Sequence, residues 1–466
     1  MLTLEQYARY KRLELFLDSL IVAKPLPNFV APAQVAGKPK PFGLERLQSL
    51  LQRLGNPQND LRFVHIAGTS GKTSTTYFTA ALLRSQGYRV GMFTSPHVIT
   101  FAEYFTVDGQ FPPVSDLTPL IEEVRPAINA EYEQHEFGVI SYFELLVALA
   151  FVYFRRRQVD YVVLEAGLGG QHDATNVIPR SNVSIITNIG LDHTQILGDT
   201  LAEIANDKLG IVRAGSPLLT AETRPDILDL FRQRTARLQA TTECAGDIFR
   251  VENVFLRNDG VTFDYISNLH ILRGLQMNMC GAYQAQNAAL ALRAVEIIAL
   301  KNGTQLNESA LRDGLRTTFI PARYERMQED PIVILDGAHN PDKIEQLAAY
   351  LRSQFTGNSI IFVCGFTSGR NIDAMLRPLT DIAAVFYFTR VITGYRMTEE
   401  PRYLQETLQR LAPSIPAHIA IDPDEALESA IIQATREKLP VCVTGSLYLA
   451  GHLRQRWHPE YRELSW

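Results

Sequence analysis

The stretch Leu61–Thr79, LRFVHIAGTSGKTSTTYFT, decides how the rest of the chain is read. Its opening residues form a short apolar strand, and Gly68-Thr69-Ser70-Gly71-Lys72-Thr73-Ser74 is a loop that opens a helix. A strand, a glycine-rich turn and a helix N-terminus together make an anion site. Gly68 and Gly71 allow the tight turn, the loop amides converge on phosphate, and the helix dipole adds positive charge. Lys72 is placed to reach the outer phosphates, and Thr73 or Ser74 to face a magnesium ion. The position that would hold the first glycine of the general nucleotide-binding loop is Ile66, so this is a compact G-T-x-G-K form. The bland alternative is a glycine turn with a solvated lysine.

Downstream, the helix runs to about Ser85 and stops at Gly87. A strand, Tyr88–Phe93, then delivers Thr94-Ser95-Pro96-His97 at its carboxyl end, where open α/β sheets bind ligands. Ser95 is a candidate site residue, or else a serine turn before proline. Upstream, residues 1–60 read as helical through Tyr7–Leu20 and Leu44–Leu54, with Pro25, Pro27, Pro32, Pro39 and Pro41 breaking the middle. That leader is expected to flank or cover the nucleotide site.

Further along, Glu144 opens the apolar helix that continues to Phe154, as a dipole-capping acid or a magnesium ligand. Tyr161–Glu165 and Val183–Thr187 read as buried parallel strands. They end in Gly167-Leu168-Gly169-Gly170 and in Asn188-Ile189-Gly190-Leu191-Asp192-His193. His193 is a candidate site residue because it follows an acid at a strand end, against a histidine that caps a turn or is satisfied in a core. Lys208 falls on a helix, Leu201–Leu209, where a lysine is ordinarily solvated. Asn287 is the polar exception in the early turns of an alanine-rich helix within Gly281–Val295, able to bond a base edge or merely to cap.

A boundary is expected near Phe319–Glu325, dividing the chain into residues 1–320 and 321–466. Beyond it, strands at Ile332–Leu335, Ser359–Cys364, Ala384–Thr389, His418–Ile421 and Val441–Thr444 alternate with helical stretches, the pattern of parallel β-α-β units. The expected fold class is α/β, with two doubly wound domains, the second smaller. Asp336-Gly337-Ala338-His339-Asn340-Pro341 and Gly445-Ser446-Leu447-Tyr448 fall on the ligand-binding rim of the second. A length of 466 residues suits two cores. A net charge of −5 gives no reason to expect nucleic acid. The longest apolar run, Leu145–Phe154, is too short to span a bilayer, and the charged N-terminus does not read as a secretion signal. The cysteines at 244, 280, 364 and 442 show no ligand spacing and read as reduced, buried thiols of a cytoplasmic protein.

The succession GTSGKTS, TSPH, YFE, EAGLGGQHDATNV, NIGLDHTQILG, DKLGIVRAG, YQAQNA, PARYE, DGAHNP and TGSLY resembles the folylpolyglutamate synthase and dihydrofolate synthase family of the Mur ligase superfamily, over roughly residues 44–456. That resemblance implies an ATP-dependent amide ligase that adds L-glutamate to a folate-type carboxylate through an acyl phosphate, in a cleft between two domains. It implies that Gly68, Thr69, Ser70, Gly71, Lys72, Thr73 and Ser74 hold the triphosphate and that Asn287, Arg323 and Asp336 contact the nucleotide. Ser95, Glu144 and His193 would bind magnesium, two ions in all, with Lys208 carbamylated as a further ligand. His339, Ser446 and Tyr448 would face glutamate, and Lys72, His339 and Lys208 would carry the catalysis. The partners implied are small molecules only, on a monomeric chain.

The phosphate loop departs from the family's usual GTNGKGS at Ser70 and Thr73, and Ala102 stands where an asparagine is usual. Three other readings compete, one of them a non-catalytic binding protein that kept the fold, against which Lys72, Glu144, His193 and His339 argue. A peptidoglycan-precursor or cofactor-tail ligase shares the loop and the AHNP motif, although some sixty helical residues are too few for a nucleotide-sugar-binding domain ahead of the loop. A plain NTPase would release phosphate without any amine acceptor.

Overall fold

The computed structural model describes residues 4–20, 44–134, 137–257, 259–355, 357, 359–393 and 397–458. The leader's five prolines lie outside the described residues. Helices Leu4–Asp18 and Glu45–Arg53 stand on either side of them.

The first sheet is built from β1 (Phe63–Ala67), β2 (Val90–Phe93), β3 (Phe105–Val107), β4 (Tyr161–Glu165), β5 (Val183–Ile186), β6 (Leu218–Thr220) and β7 (Thr242–Cys244). Its order is β3-β2-β4-β1-β5-β6-β7, parallel except for the β2–β3 pair at one edge. The inner strands are buried on both faces, so they read as continuous apolar runs rather than alternating ones. Their side chains divide with period 2. Phe63, Val162 and Leu164 enter the core under the helices Glu45–Arg53, Val114–Gln134 and Tyr142–Arg156. Val64, Ile66 and Val163 enter the core under the helices Lys72–Ser85 and Tyr283–Asn302.

Between β7 and the helix Tyr283–Asn302 the chain forms an antiparallel sheet of β8 (Phe249–Arg257), β9 (Gly260–Ser267) and β10 (Ile271–Met277). The sequence patterning singled out none of its strands. β8 in particular is exposed along most of its length and lacks clean alternation.

The second sheet contains β11 (Glu325–Glu329), β12 (Ile332–Leu335), β13 (Ile360–Cys364), β14 (Ala383–Phe388), β15 (Ala417–Ile419) and β16 (Val441–Thr444), in the order β11-β12-β16-β13-β14-β15. Only the edge strand β11 is antiparallel to its neighbour. Ile334, Phe362 and Cys442 point to one core and Val333, Ile361 and Val441 to the other. The fold is α/β with two doubly wound sheets. In the first, β1 lies at the point where the strand order reverses, between β4 and β5. That reversal opens a crevice above the carboxyl end of β1, and the glycine-rich loop occupies it. No helix among the described residues is long and apolar enough to cross a membrane.

Candidate active site

The loop after β1 is fixed by the end of β5. Ser70 N–H donates to Asn188 Oδ1 at 2.9 Å, Gly190 N–H donates to Thr69 Oγ1 at 2.9 Å, and Thr187 Oγ1 donates to Ser70 O at 2.6 Å. Gly68 and Gly71 adopt φ of 149° and 83°. A Cβ at Gly68 would overlap the Thr187 hydroxyl, and one at Gly71 would overlap the Asn287 carboxamide. Both glycines are therefore required by space as well as by conformation. Lys72 begins the helix Lys72–Ser85, and its Nζ donates to Gly68 O at 2.9 Å, which holds the ammonium over its own loop.

Two cavities open from this loop. The first is lined by Ser70, Gly71, Ser74, Asn287, Arg323 and Asp336, with Tyr283, Tyr324, Tyr350 and Cys280 as its less polar walls. The second is lined by Gly68 through Ser74, Ser95, Glu165, Asp192, His193, Lys208, Arg323 and His339. Most of the candidate residues, scattered over some 270 positions of sequence, therefore meet around one loop because they stand at the carboxyl ends of β1, β2, β4, β5 and β12.

The charges in the second cavity are strongly perturbed. Lys208 is 3% exposed. Burial, reinforced by the Lys72 ammonium, brings its amine down to about 7 from the ordinary 10.5, against the opposing pull of Asp207 and Asp192. A neutral amine is the form that captures carbon dioxide. Glu165 is 1% exposed. Burial raises its carboxyl to about 7, with Lys72 and the Thr73 hydroxyl opposing. Thr73 Oγ1 donates to Glu165 Oε1 at 2.8 Å, while Oε2 is buried with no hydrogen-bond partner. His193 sits in left-handed backbone at φ 51°, and burial lowers its imidazole below the usual range. Asp336 accepts from Tyr324 N–H and Ala338 N–H, each at 2.8 Å, and braces the loops where the second sheet meets the nucleotide cavity.

Three expected site residues lie elsewhere. Glu144 does not line either cavity; its carboxylate is spent on a buried ion pair. Arg46 Nε and a terminal guanidinium nitrogen donate to Glu144 Oε1 at 3.2 and 2.9 Å, and Ser141 Oγ donates to Oε2 at 2.6 Å in a capping box. With both oxygens occupied, Glu144 ties the helix Glu45–Arg53 to the helix Tyr142–Arg156. The buried carboxylate at the end of β4, Glu165, lines the second cavity instead, together with Asp192. Its signal was an acid terminating an all-apolar parallel strand, where no solvated role is available. Ser446 is used as the N-cap of the helix Leu447–Arg454, accepting from Tyr448 N–H at 3.2 Å. Tyr448 packs its ring edge toward His97, with centroids 6.3 Å apart. Neither lines the two cavities. Lys343, unremarked in the sequence, lines both.

Among the described residues there is no group of three or more histidine, cysteine or acidic side chains suited to a metal. The second cavity nevertheless fits a magnesium ion, because Glu165 Oε2 is a buried, unsatisfied hard donor in a cavity that the Ser95 hydroxyl and the His193 imidazole also line.

Residues 66–295 match the Mur ligase middle domain, and residues 322–456 match the C-terminal domain of dihydrofolate synthetase. A dihydrofolate synthase/folylpolyglutamate synthase of Bacillus subtilis is 35% identical over 417 residues, covering 89% of this chain and 94% of the relative. The folylpolyglutamate synthase of Lacticaseibacillus casei is 33% identical over 410 residues, covering 88% and 93%. Among solved structures, Mycobacterium tuberculosis folylpolyglutamate synthase complexed with ADP and AMPPCP aligns with a TM-score of 0.85 at 27% identity, over 97% of this chain and 99% of that one. The phosphate loop, the two doubly wound sheets and these relatives together show that the chain belongs to the folylpolyglutamate synthase/dihydrofolate synthase family, ATP-dependent ligases within the Mur ligase superfamily.

Proposed function

We propose that this chain joins L-glutamate to dihydropteroate, to a reduced folate that already carries glutamate, or to both, through an acyl phosphate. The observation that carries the proposal is the second cavity, where Lys72, Glu165, His193, Lys208 and His339 surround the phosphate loop. In this scheme the acceptor carboxylate attacks the γ-phosphorus of ATP and the bond to the β-phosphate oxygen breaks, releasing ADP. The glutamate amine then attacks the acyl carbon, loses its proton, and displaces inorganic phosphate.

The chain's residues solve two physical problems. Two anions must approach, and Lys72 and Arg323 neutralise the triphosphate from opposite sides of the cleft. The acyl phosphate must be kept from water, which the meeting of residues 1–320 with residues 321–466 accomplishes; the chain works as two domains that close. Ser95, Glu165 and His193 would hold magnesium, with Lys208 as a carbamate on a second ion. When bound, the metal supplies further neutralisation of phosphate charge. Glutamate enters on the His339 side of the cavity. The working form is a cytoplasmic monomer.

The test is ADP release by purified protein with dihydropteroate or tetrahydrofolate, with and without L-glutamate, and mass analysis of the folate product. Glutamate-dependent turnover with either acceptor is expected. Phosphate release indifferent to glutamate would make the chain a plain NTPase. Turnover only with some other carboxylate would move it to another branch of the superfamily.

A further inference from the structure

The two cavities share part of their walls. The residues lining both are Ser70, Gly71 and Ser74 of the phosphate loop, and Arg323 and Lys343 from the far side of the cleft. A ligand that passes from the nucleotide cavity into the reaction cavity must run between these two groups. For a nucleotide held by the loop, the portion at that junction is its outer phosphates.

We propose that Lys343 is a phosphate-binding catalytic residue, closing with Lys72 and Arg323 a three-cation clamp on the β- and γ-phosphates of ATP at the junction of the two cavities. The inference rests on the reading of the cavities as nucleotide and reaction sites, and adds a residue to them. Three observations support it. First, Lys343 stands in the opening turn of the helix Pro341–Gln354, whose N-terminus is fixed by Lys343 N–H donating to Asn340 Oδ1 at 2.9 Å. The stem of the side chain is thus anchored. Second, its ammonium is oriented by a histidine rather than neutralised by an acid. His339 Nδ1 lies 2.7 Å from Gly337 O, a contact that requires the proton on Nδ1. The bare Nε2 then accepts from Lys343 Nζ at 3.4 Å. One N–H is directed by the imidazole and the others are left to aim at an anion. Third, the surroundings make an ammonium costly until an anion arrives. Burial first, then the cations Arg323 and Lys72, depress the Lys343 amine to about 7, with Asp192 and Glu165 opposing. A cation held at such cost beside a phosphate loop is stabilised by a triphosphate more than by any neighbour it has.

Lys343 lines both cavities together with Ser70, Gly71 and Ser74 of the phosphate loop, which favours phosphate over the glutamate carboxylate as its ligand. The experiment is calorimetric binding of AMPPCP, ADP and AMP to wild type, Lys343→Met and Lys343→Arg, together with steady-state KM values for ATP and glutamate. Unchanged circular dichroism and a retained cooperative urea transition serve as the folding control. The expected result for Lys343→Met is about a tenfold or greater loss of AMPPCP affinity, less than about a twofold change for AMP, an unchanged glutamate KM, and partial recovery in Lys343→Arg. Equal losses for AMPPCP and AMP, no loss at all, or a raised glutamate KM with ATP binding intact would each overturn the assignment. Wild-type protein that fails to bind AMPPCP would instead overturn the reading of the cavities on which it rests.

Discussion

At the scale of single residues, two glutamates of similar burial do opposite jobs, and the difference is what each carboxylate touches. Glu144 is matched oxygen by oxygen by Arg46 and Ser141, whereas Glu165 keeps one oxygen without a partner. Glu144→Gln should therefore cost stability, about 3 kcal/mol in urea unfolding, because it leaves the Arg46 charge buried and unmatched. Glu165→Gln should leave the urea midpoint within about 0.5 kcal/mol of wild type or raise it, while turnover collapses. Lys208→Ala should be inactive and partly restored by short-chain carboxylates such as acetate or propionate, measured as recovered ADP release; an unaltered rate in the variant would return Lys208 to an ordinary buried amine. Lys343 makes a pH prediction. Its folded pKa of about 7 lies below the ordinary 10.5, so between these values the unfolded chain holds the proton and the folded chain does not. The stability of the nucleotide-free protein should rise with pH from about 7 to 9 through this group, and the rise should be smaller in Lys343→Met, read as the difference in urea midpoints. Arg323, Lys72, His339, Asp192 and Glu165 face the same amine, so the comparison with the variant is what isolates it.

The elements show why some of this was legible in sequence and some was not. Parallel strands buried on both faces are written as uninterrupted apolar runs, and YVVLE, IVIL and VCVT declared themselves; their residue ranges in the structure match those read from the pattern. The sheet of β8, β9 and β10 did not, since one of its faces is largely solvated and Phe255 and Ile271 are exposed on it. The phosphate loop was readable because its chemistry is local. Glu165 was misjudged beside Glu144 because both open or close an apolar stretch, and only the position of Arg46, 98 residues before Glu144, tells them apart. The loop after β2 shows how non-local such control is. Glu103 accepts from Val98, Ile99 and Thr100 N–H at 2.7, 2.8 and 3.0 Å. Tyr10 of the leader stacks on Phe101 with centroids 5.3 Å apart and hydrogen-bonds Thr100. The carbonyl of Val98 meets Gly451 so closely that a Cβ there would overlap it. Gly451→Val should therefore displace the segment bearing Ser95 and raise the acceptor KM several-fold while AMPPCP affinity changes less than about twofold. Loss of both in parallel would mean that Gly451 matters only for folding.

On the scale of the whole molecule, the two cavities of the candidate site belong to neither sheet alone. The first sheet supplies the loop, Glu165, His193 and Lys208; the second supplies Asp336, His339 and Lys343. If the two domains close on their ligands, X-ray scattering should show a smaller radius of gyration with AMPPCP and acceptor than without ligand, and light scattering should give a single species near 52.3 kDa in both states.

The shared wall between the two cavities also bears on how a turnover ends. The positive charge around it is divided, with Lys72, which lines the second cavity alone, on one side of the cleft and Arg323 and Lys343 on the other. Any opening of the cleft withdraws two of those three cations from the spent nucleotide in a single movement. The grip on ADP would then weaken as a step rather than gradually, so departure of the product would be timed by the hinge and not by the strength of the phosphate loop itself.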